Sequence, residues 1–557
     1  MALNEEPEYD VIVVGAGAAG SPLAARLAEN PDLRVLLIEA GPGPTSEAEF
    51  PKDLLDASMM TGAMPGHPNN WAFVANLTPE LSYSVARGKI LGGSTSLNGT
   101  YFIWGRRQDF DTYAALGNTE WSFDKVLPFF KKLETDLTFG ESRGHGASGP
   151  IPIYRAEEAE QTEHSKAFIN VCKELGFIWE EDKNSESTPG VGPVPVNAVN
   201  GTRINTGIAY VLPALKRKNF TLMADTFVQR ATFNGTKVNG VEVKKDGDVQ
   251  TITAREVVLA CGAIKTPHTL ALSGVGPKKE LVAAGIPLLV DLPGVGKNFS
   301  DHPELFLNWS PKRKPDLNVR RDIFQYVLNF SSIENKYDGD LEIMPMLRPM
   351  AVAMGLESGK TFKTFIDVLK RPIASLKSLR GVSLPRFLQQ LRHSRDLSFV
   401  VAVQQAESRG NITTVSNDPN VYPKIDYNYL EHESDLRRMR EAVRTTVKIL
   451  KSEAFKPVFK RFTEIDDATL HNDKKLDRWM KAHLATAIHA AGSCSMGADP
   501  EHGAVVDQYG RVYGVTGLRI ADTSILPFVP SRGPAATSVM IGERMADLML
   551  AGAGAIR

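Results

Sequence analysis

Cysteine is scarce in this chain: three in 557 residues, at Cys172, Cys261 and Cys494, far apart and with no C-x-x-C pair. That argues against a disulfide framework and against a structural zinc centre. No apolar run reaches eighteen residues, so no transmembrane helix is expected. The opening M-A-L-N-E-E-P-E-Y-D is acidic, with neither a basic stretch nor an apolar core, so no secretory signal is expected. Net charge is nearly absent too, at −1, which excludes a global attraction to nucleic acid or an anionic membrane. Repeats and low-complexity tracts are also missing. These absences set the expectation of a reduced, soluble, cytoplasmic protein with no metal, no nucleic-acid partner and no membrane span. The sequence specifies no oligomeric state.

What is present is a globular balance, 42% apolar and 23% charged. The length exceeds one ordinary core, so two or more domains are expected. The first apolar run, Val11 to Val14, is short and β-branched and ends in G-A-G-A-A-G. S-P-L-A-A-R-L-A-E-N then has the spacing of a helix, and V-L-L-I-E, Val35 to Glu39, is a second strand. Strand, glycine loop, helix and strand open a dinucleotide-binding fold. The glycines of G-x-G-x-x-G are Gly15, Gly17 and Gly20, with Ala18 and Ala19 between them. Gly15 permits the turn, Gly17 admits a pyrophosphate to the backbone, and Gly20 lets helix and strand pack closely. The helix N-terminus favours phosphate. Glu39, followed by Ala40, stands nineteen residues after Gly20, placed to accept ribose hydroxyls and to repel a 2′-phosphate. FAD or NAD is therefore favoured over NADP.

Two later apolar runs, Glu256 to Gly262 and Leu518 to Asp522, read as further strands of the same sheet, buried on both faces. Residues from about 304 to 400 differ in character, with basic and bulky groups and a helical pattern in K-T-F-I-D-V-L-K. A nucleotide domain that resumes after them is discontinuous in sequence.

Several segments resemble the glucose–methanol–choline (GMC) flavin oxidoreductases. R-G-K-I-L-G-G-S-T-S-L-N-G-T-Y-F-I-W-G, Arg87 to Gly105, is similar to the family's first signature. Gly262 to Gly276 is similar to the second, departing at Thr269. L-P-G-V-G-K-N-F-S-D-H-P, Leu292 to Pro303, and I-H-A-A-G-S-C-S-M-G also match, in family order. The resemblance implies an α/β fold, α+β overall: a Rossmann-type FAD-binding domain at 1–155, 216–303 and 485–557, and a substrate domain with antiparallel sheet and helices at 156–215 and 304–484. It implies that Arg87, Gly92, Gly93, Ser94 and Asn98 lie along the flavin and its pyrophosphate, Val228 near the adenine, and Asp522 by the ribityl–phosphate. Members that attach FAD covalently use a histidine just before the asparagine. Leu97 stands there, so non-covalent FAD is expected.

The family chemistry removes a proton from an alcohol and passes a hydride from its carbon to flavin N5. His489, in I-H-A-A-G-S-C, occupies the catalytic-base position, and a neutral imidazole suits that task. His483 is read as structural, and Cys494 as a buried small hydrophobe. The family's second group, a histidine or asparagine, falls on Gly533, beside Arg532 in P-F-V-P-S-R-G-P-A-A-T. Either Arg532 turns inward as a replacement, or it forms a structural ion pair, or the substrate needs no second group. Met344, Met346 and Met350 are candidates for an apolar pocket. The expected partners are a small-molecule alcohol and either O₂ or an external electron acceptor. The alternatives are a hydroxynitrile-lyase-like enzyme with non-redox flavin and an oxidoreductase for a carboxylate-bearing substrate held by Arg532. The family's light-driven decarboxylase, whose cysteine would fall near Val403-Gln404, is disfavoured because no cysteine stands there.

Overall fold

A computed structural model describes residues 8–314, 322–334, 336–355 and 395–552. The helical pattern expected in K-T-F-I-D-V-L-K lies outside the described residues.

The N-terminal apolar run forms β1 (Tyr9–Val14), followed by α1 (Gly20–Leu27) and β2 (Val35–Ile38). Both strands are almost wholly buried, as expected of parallel strands covered on both faces. A residue with a Cβ at Gly20 would overlap the Gly15 carbonyl oxygen, and at Gly15 (φ +103°) it would stand 2.6 Å from the carbonyl oxygen of Ala260. The glycines thus set the turn and the helix–strand approach. The chain returns as β3 (Phe220–Met223), β4 (Phe227–Asn234), β5 (Lys237–Lys245) and β6 (Asp248–Leu259). The order is β3-β2-β1-β6-β5-β4, with the short strand Leu518–Ile520 also on β6. The long strand β6 serves two partners: Asp248 to Thr253 pair antiparallel with β5, and Ala254 to Leu259 lie parallel to β1. One sheet is therefore assembled from segments of the chain some 500 residues apart. The helix α2 (Gly262–Leu272) leaves β6 directly.

A second sheet, antiparallel throughout, is built on β7 (Pro303–Pro311), β8 (Tyr326–Phe330), β9 (Leu341–Pro345) and β10 (Leu397–Val403). β10 lies between β7 and β9 and is buried at every position. Its apolar side packs on α3 (Glu433–Lys451), whose buried face includes Met439, Val443 and Val447. The last helix, α4 (Ala535–Leu550), packs on α1, and Glu543 within it is fully buried, paired with Arg26 at 2.9 Å. Among the described residues no helix is long and apolar enough to cross a membrane.

Candidate active site

One cavity of about 840 Å³ runs from the glycine loop to the second sheet. At the first end it is lined by Gly15, Gly17, Ala18, Ala19, Glu39, Ala40, Arg87, Gly93, Ser94, Asn98, Val228 and Asp522. The structure thus brings together on one surface twelve of the expected cofactor-contacting residues. Gly20 and Gly92 do not line it. Gly20 packs against Gly15, and Gly92 (φ +89°) turns the chain into the short helix that carries Gly93 and Ser94.

The cavity's shape and donors suit a dinucleotide. A Cβ on Gly93 would come within 2.7 Å of Gly17 Cα, so two glycine backbones meet and leave the space beside them open. Glu39 is anchored by the amides of Ala16 (3.1 Å) and Gly41 (2.8 Å). Burial nonetheless pushes its carboxyl up to about 7, against the pull of those amides. Ribose hydroxyls would add the donors that an ionised Glu39 needs. Asp522 accepts from Gly262 N (2.9 Å), Thr266 Oγ1 (2.5 Å) and Ser524 N (2.8 Å), which locks the Leu518–Ile520 strand to the start of α2.

At the other end the cavity meets His489. Its backbone amide donates to Asp301 Oδ1 at 2.7 Å, and the His302 amide donates to the same oxygen at 2.7 Å. The residue before it, Ile488, has φ +63°, a costly conformation for a β-branched residue, of the order of 1–3 kcal/mol. It is held there by Arg87, whose Nη1 donates to Ile488 O at 2.7 Å, and by Thr486 Oγ1, which accepts from Ile488 N at 3.2 Å.

The side-chain contacts fix the proton positions. His302 Nε2 lies 2.9 Å from the carbonyl of Pro530, which can only accept, so Nε2 carries the hydrogen. His302 Nδ1 is then an acceptor, and His489 Nδ1, 2.9 Å away, donates to it. His489 Nε2 is left bare. Burial, then His302 and Arg87, hold His489 well below the ordinary histidine range. Burial also pulls His302 down to about 4, against the accepting carbonyl of Pro530. Both rings are neutral at pH 7.

Gly533 is where a second catalytic side chain was expected. A Cβ built on it would lie 3.3 Å from His489 Cε1 and 3.4 Å from Nε2. Its lack of a side chain leaves Nε2 uncovered. Arg532 does not line this cavity, and of the alternatives open for it the buried ion pair is the one its surroundings favour over the inward turn. The side chain is fully buried and points into a cluster behind the cavity, with Nη2 3.6 Å from Glu180 Oε1.

The floor at this end is the second sheet. Glu304 and Glu342 both lie opposite Ala402, Phe306 and Met344 both opposite Val400, and Asn308 opposite Ser398. Directly paired residues share a face. All of these except Ala402 line the cavity. Of the three candidate methionines, Met344 and Met350 line it, whereas Met346 is buried away from it. His483 also lines it, with Nδ1 2.7 Å from Trp479 O and its ring stacked on Trp479. Sequence reasoning assigned no role to His302, Tyr101, Glu304 or Glu342. His302 and Glu304 sit in or beside the S-D-H-P stretch, where an Asp-His pair leading into a strand was the available signal. Tyr101 and Glu342 gave none.

A Rossmann-type sheet, a dinucleotide-shaped cavity and a neutral histidine at its far end define a nucleotide-dependent oxidoreductase. Comparison with known proteins makes this specific. Models of the GMC oxidoreductase family match residues 9–304 and 406–542. A GMC-type oxidoreductase from the thcA 5′ region of Rhodococcus erythropolis is 36% identical over 548 residues, covering 98% of this chain and 99% of the relative. Oxygen-dependent choline dehydrogenase 1 of Chromohalobacter salexigens is 32% identical over 556 residues, covering 98% and 95%. The crystal structure of pyridoxine 4-oxidase from Mesorbium loti superposes with a TM-score of 0.83 at 26% identity, covering 98% of this chain and 99% of that one. The chain belongs to the GMC oxidoreductase family, whose members bind FAD.

Proposed function

We propose that the protein is an FAD-dependent oxidoreductase that oxidises a CH–OH group of a small or medium organic alcohol, with His489 as the base. The chain of contacts from Pro530 O through His302 to His489 carries this reading, because it leaves Nε2 as an unprotonated acceptor at the cavity wall. FAD, when bound, supplies the hydride acceptor. The protein's own residues do the rest. His489 Nε2 takes the hydroxyl proton, and His302 keeps the ring in the accepting tautomer. Asp301 fixes the backbone of both rings. Gly533 leaves room for the reacting carbon and its oxygen beside the imidazole.

Gly15, Gly17, Glu39, Gly93 and Asp522 would hold the dinucleotide portion, and Arg87, Ser94 and Asn98 the length towards the flavin. The attachment is non-covalent on this reading, since Leu97 lines the cavity where a linking histidine would stand. The same reading divides the chain into an FAD-binding domain (1–155, 216–303, 485–557) and a substrate domain (156–215, 304–484). The two sheets support it: the first is drawn wholly from the FAD-binding segments, and the second from the substrate segments except at the boundary residues Pro303 and Ala485–Thr486.

A carboxylate-bearing substrate held by Arg532 loses its support, because the cavity offers carboxyl groups and the guanidinium lies outside it. Choline, the alcohol named in the Chromohalobacter relative, joins a CH₂OH to a fixed cation, and a cavity with Glu304 and Glu342 suits both parts.

The test is anaerobic mixing of the FAD-loaded protein with primary, secondary, aromatic and amino alcohols while the flavin absorbance is followed. At least one should bleach it. His489→Ala should slow that reduction by about a hundredfold or more, the size of a general-base contribution. A flavin that dithionite reduces but no alcohol does would favour the lyase reading instead.

A further inference from the structure

Residues 530–533 meet the histidine pair from one side only. Pro530 O faces His302 Nε2 at 2.9 Å, and Gly533 borders His489. The backbone of Gln404, just past the end of β10, faces His302 as well. A carbonyl fixes a tautomer only while it stays in place. What holds these two segments lies behind them, on a helix that does not line the cavity.

Asp109 and Tyr113 stand four residues apart on that helix, Arg107–Ala115, and so share a face. Tyr113 OH donates to Phe528 O at 2.8 Å. Asp109 Oδ2 accepts from Ser531 N at 3.0 Å and from Ser531 Oγ at 2.9 Å. Pro530 therefore lies between two points held by one helix. The other oxygen, Asp109 Oδ1, accepts at 2.7 Å from Nε2 of Gln405, the residue after Gln404. One carboxylate thus grips the neighbours of both residues that face His302, across 422 and 296 residues of sequence. Nearer the pair, Val529 N donates to Ser300 Oγ at 2.9 Å, but Ser300 is part of the same loop as His302 and gives no independent anchor. Arg532 adds no comparable hold: its guanidinium makes no hydrogen bond among the described residues, and Glu180 is 3.6 Å away.

Asp109 is suited to this task. It is buried together with Ser531 and Gln405, and Arg106 N is a further donor to Oδ2 at 3.0 Å. Burial raises its carboxyl to about 6, against the donors of Ser531 and Arg106, so it is ionised at pH 7. An ionised carboxylate only accepts, and its hydrogen bonds are of the strong, charge-assisted kind.

We propose that Asp109 is a positioning residue for the reaction: by holding residues 530–531 and 404–405 it keeps their backbone against His302, and so keeps His489 Nε2 bare. It acts only through His302. The inference rests on the reading of His489 as the base, and it gives residues 530–533 a function governed from their buried side.

The test uses the FAD-loaded protein with a heavy-nitrogen label in its histidine rings, where magnetic resonance tells a protonated ring nitrogen from a bare one. Loss of signals in His302→Phe and His489→Ala assigns the two rings. In the natural protein at pH 7, His302 should be protonated at Nε2 and His489 at Nδ1. Asp109→Ala should shift the nitrogens of both rings towards the average of mixed tautomers. It should also slow alcohol-driven flavin reduction by about tenfold, the order expected of a slightly misplaced group. Asp109→Asn should restore the natural signals and most of the rate: its oxygen can accept from Ser531, and Gln405 can turn its amide to meet the nitrogen. Tyr113→Phe should shift the signals in the same sense but less. A merely structural Asp109 would lower the melting temperature and leave the ring signals where they are. Unshifted signals in a folded Asp109→Ala, or in Tyr113→Phe should the alanine variant not fold, overturn the proposal. If the natural protein carries the proton on His489 Nε2, the base reading falls and this inference with it. If the signals shift as expected but no alcohol reduces the flavin, the alcohol reading falls and the positioning role stands.

Discussion

At the scale of single residues, the role proposed for His489 depends on the company His302 provides. An isolated buried imidazole has no reason to present Nε2 bare rather than Nδ1, and the Pro530 carbonyl decides this two residues' distance away, through His302. Replacing His302 by Phe removes the acceptor and lets the tautomers mix. We expect flavin reduction to slow by roughly ten- to a hundredfold, less than for His489→Ala. The pH profile separates this from mere misfolding. His489 is held neutral well below the ordinary histidine range, so its basic form is present throughout neutral and alkaline pH and is lost only in acid. The rate constant for reduction should be flat upward from pH 6.5, with its falling limb below that. A limb centred near pH 7 in the natural protein would contradict the neutral pair. Gly533 makes a second residue-scale case. Its backbone is outside the left-handed region, so alanine can adopt it, but the new Cβ would stand 3.3 and 3.4 Å from the imidazole's Cε1 and Nε2. Gly533→Ala should leave the melting temperature nearly unchanged and slow reduction by about tenfold, a cost of about 1.4 kcal/mol in the barrier. Equal activity would show that substrate approaches His489 from another side.

At the scale of elements, the second sheet sorts the cavity into layers, since alternate residues of β7, β9 and β10 meet it in register. The acid row lies towards His489, the row of Phe306, Val400 and Met344 follows, and Asn308 and Ser398 come next. Val400 is the middle of the apolar layer and nearly buried. Val400→Phe should raise KM for bulky alcohols relative to small ones by about tenfold or more, at a stability cost of about 1–3 kcal/mol. A uniform change across substrate sizes would place the bound alcohol elsewhere. These layers also show where sequence legibility ended. β1, the glycine turn, α1 and β2 could be read because their signals are local: a β-branched run, a glycine spacing and a helical period, all within about 30 residues. His489 could be read from its motif. The Glu304–Ala402–Glu342 row could not, because it depends on pairings between strands up to about 100 residues apart, and a glutamate in an apolar strand reads as an isolated irregularity. The His302–His489 contact spans 187 residues for the same reason. Arg532 was ambiguous in a different way. An arginine beside a flexible glycine has two faces to choose from, and only the position of Glu180, more than 350 residues earlier, settles where its charge goes.

At the scale of the whole molecule, the proposed nucleotide and substrate domains meet at a buried charge cluster. His145 Nδ1 contacts Glu134 Oε1 at 2.8 Å and its Nε2 contacts Asp182 Oδ2 at 2.9 Å, so the ring is doubly bound and bridges segments on either side of the proposed boundary near residue 155. Arg155 closes the loop, reaching Asp136 at 2.6 Å and Asp182 at 3.0 Å. Glu134, Asp136 and His145 have the donor types of a metal site, but each is already engaged within this cluster, and Arg155 supplies the positive charge an ion would bring. Burial opposes charging the ring, and hydrogen bonds and fields from Asp182 and Glu134 overcome it, raising His145 to about 9. Because the folded value lies above the unfolded one of about 6.5, the ring's contribution to stability is complete below pH 6.5. It is lost as pH rises through about 9. Lys183 and Lys265, both lowered to about 8 by burial, push the opposite way, so the informative quantity is a difference between two proteins. His145→Gln keeps two polar ends but no charge. At pH 6.5 it should melt several degrees below the natural protein, since a buried pair that loses one partner costs about 3–5 kcal/mol. The gap should narrow steadily towards pH 9.5, where the natural ring is neutral as well. A gap that stays constant from pH 6.5 to 9.5 would mean that His145 is uncharged in the folded protein, and that Arg155, paired with Asp136 and Asp182, offsets the cluster's negative charge without it.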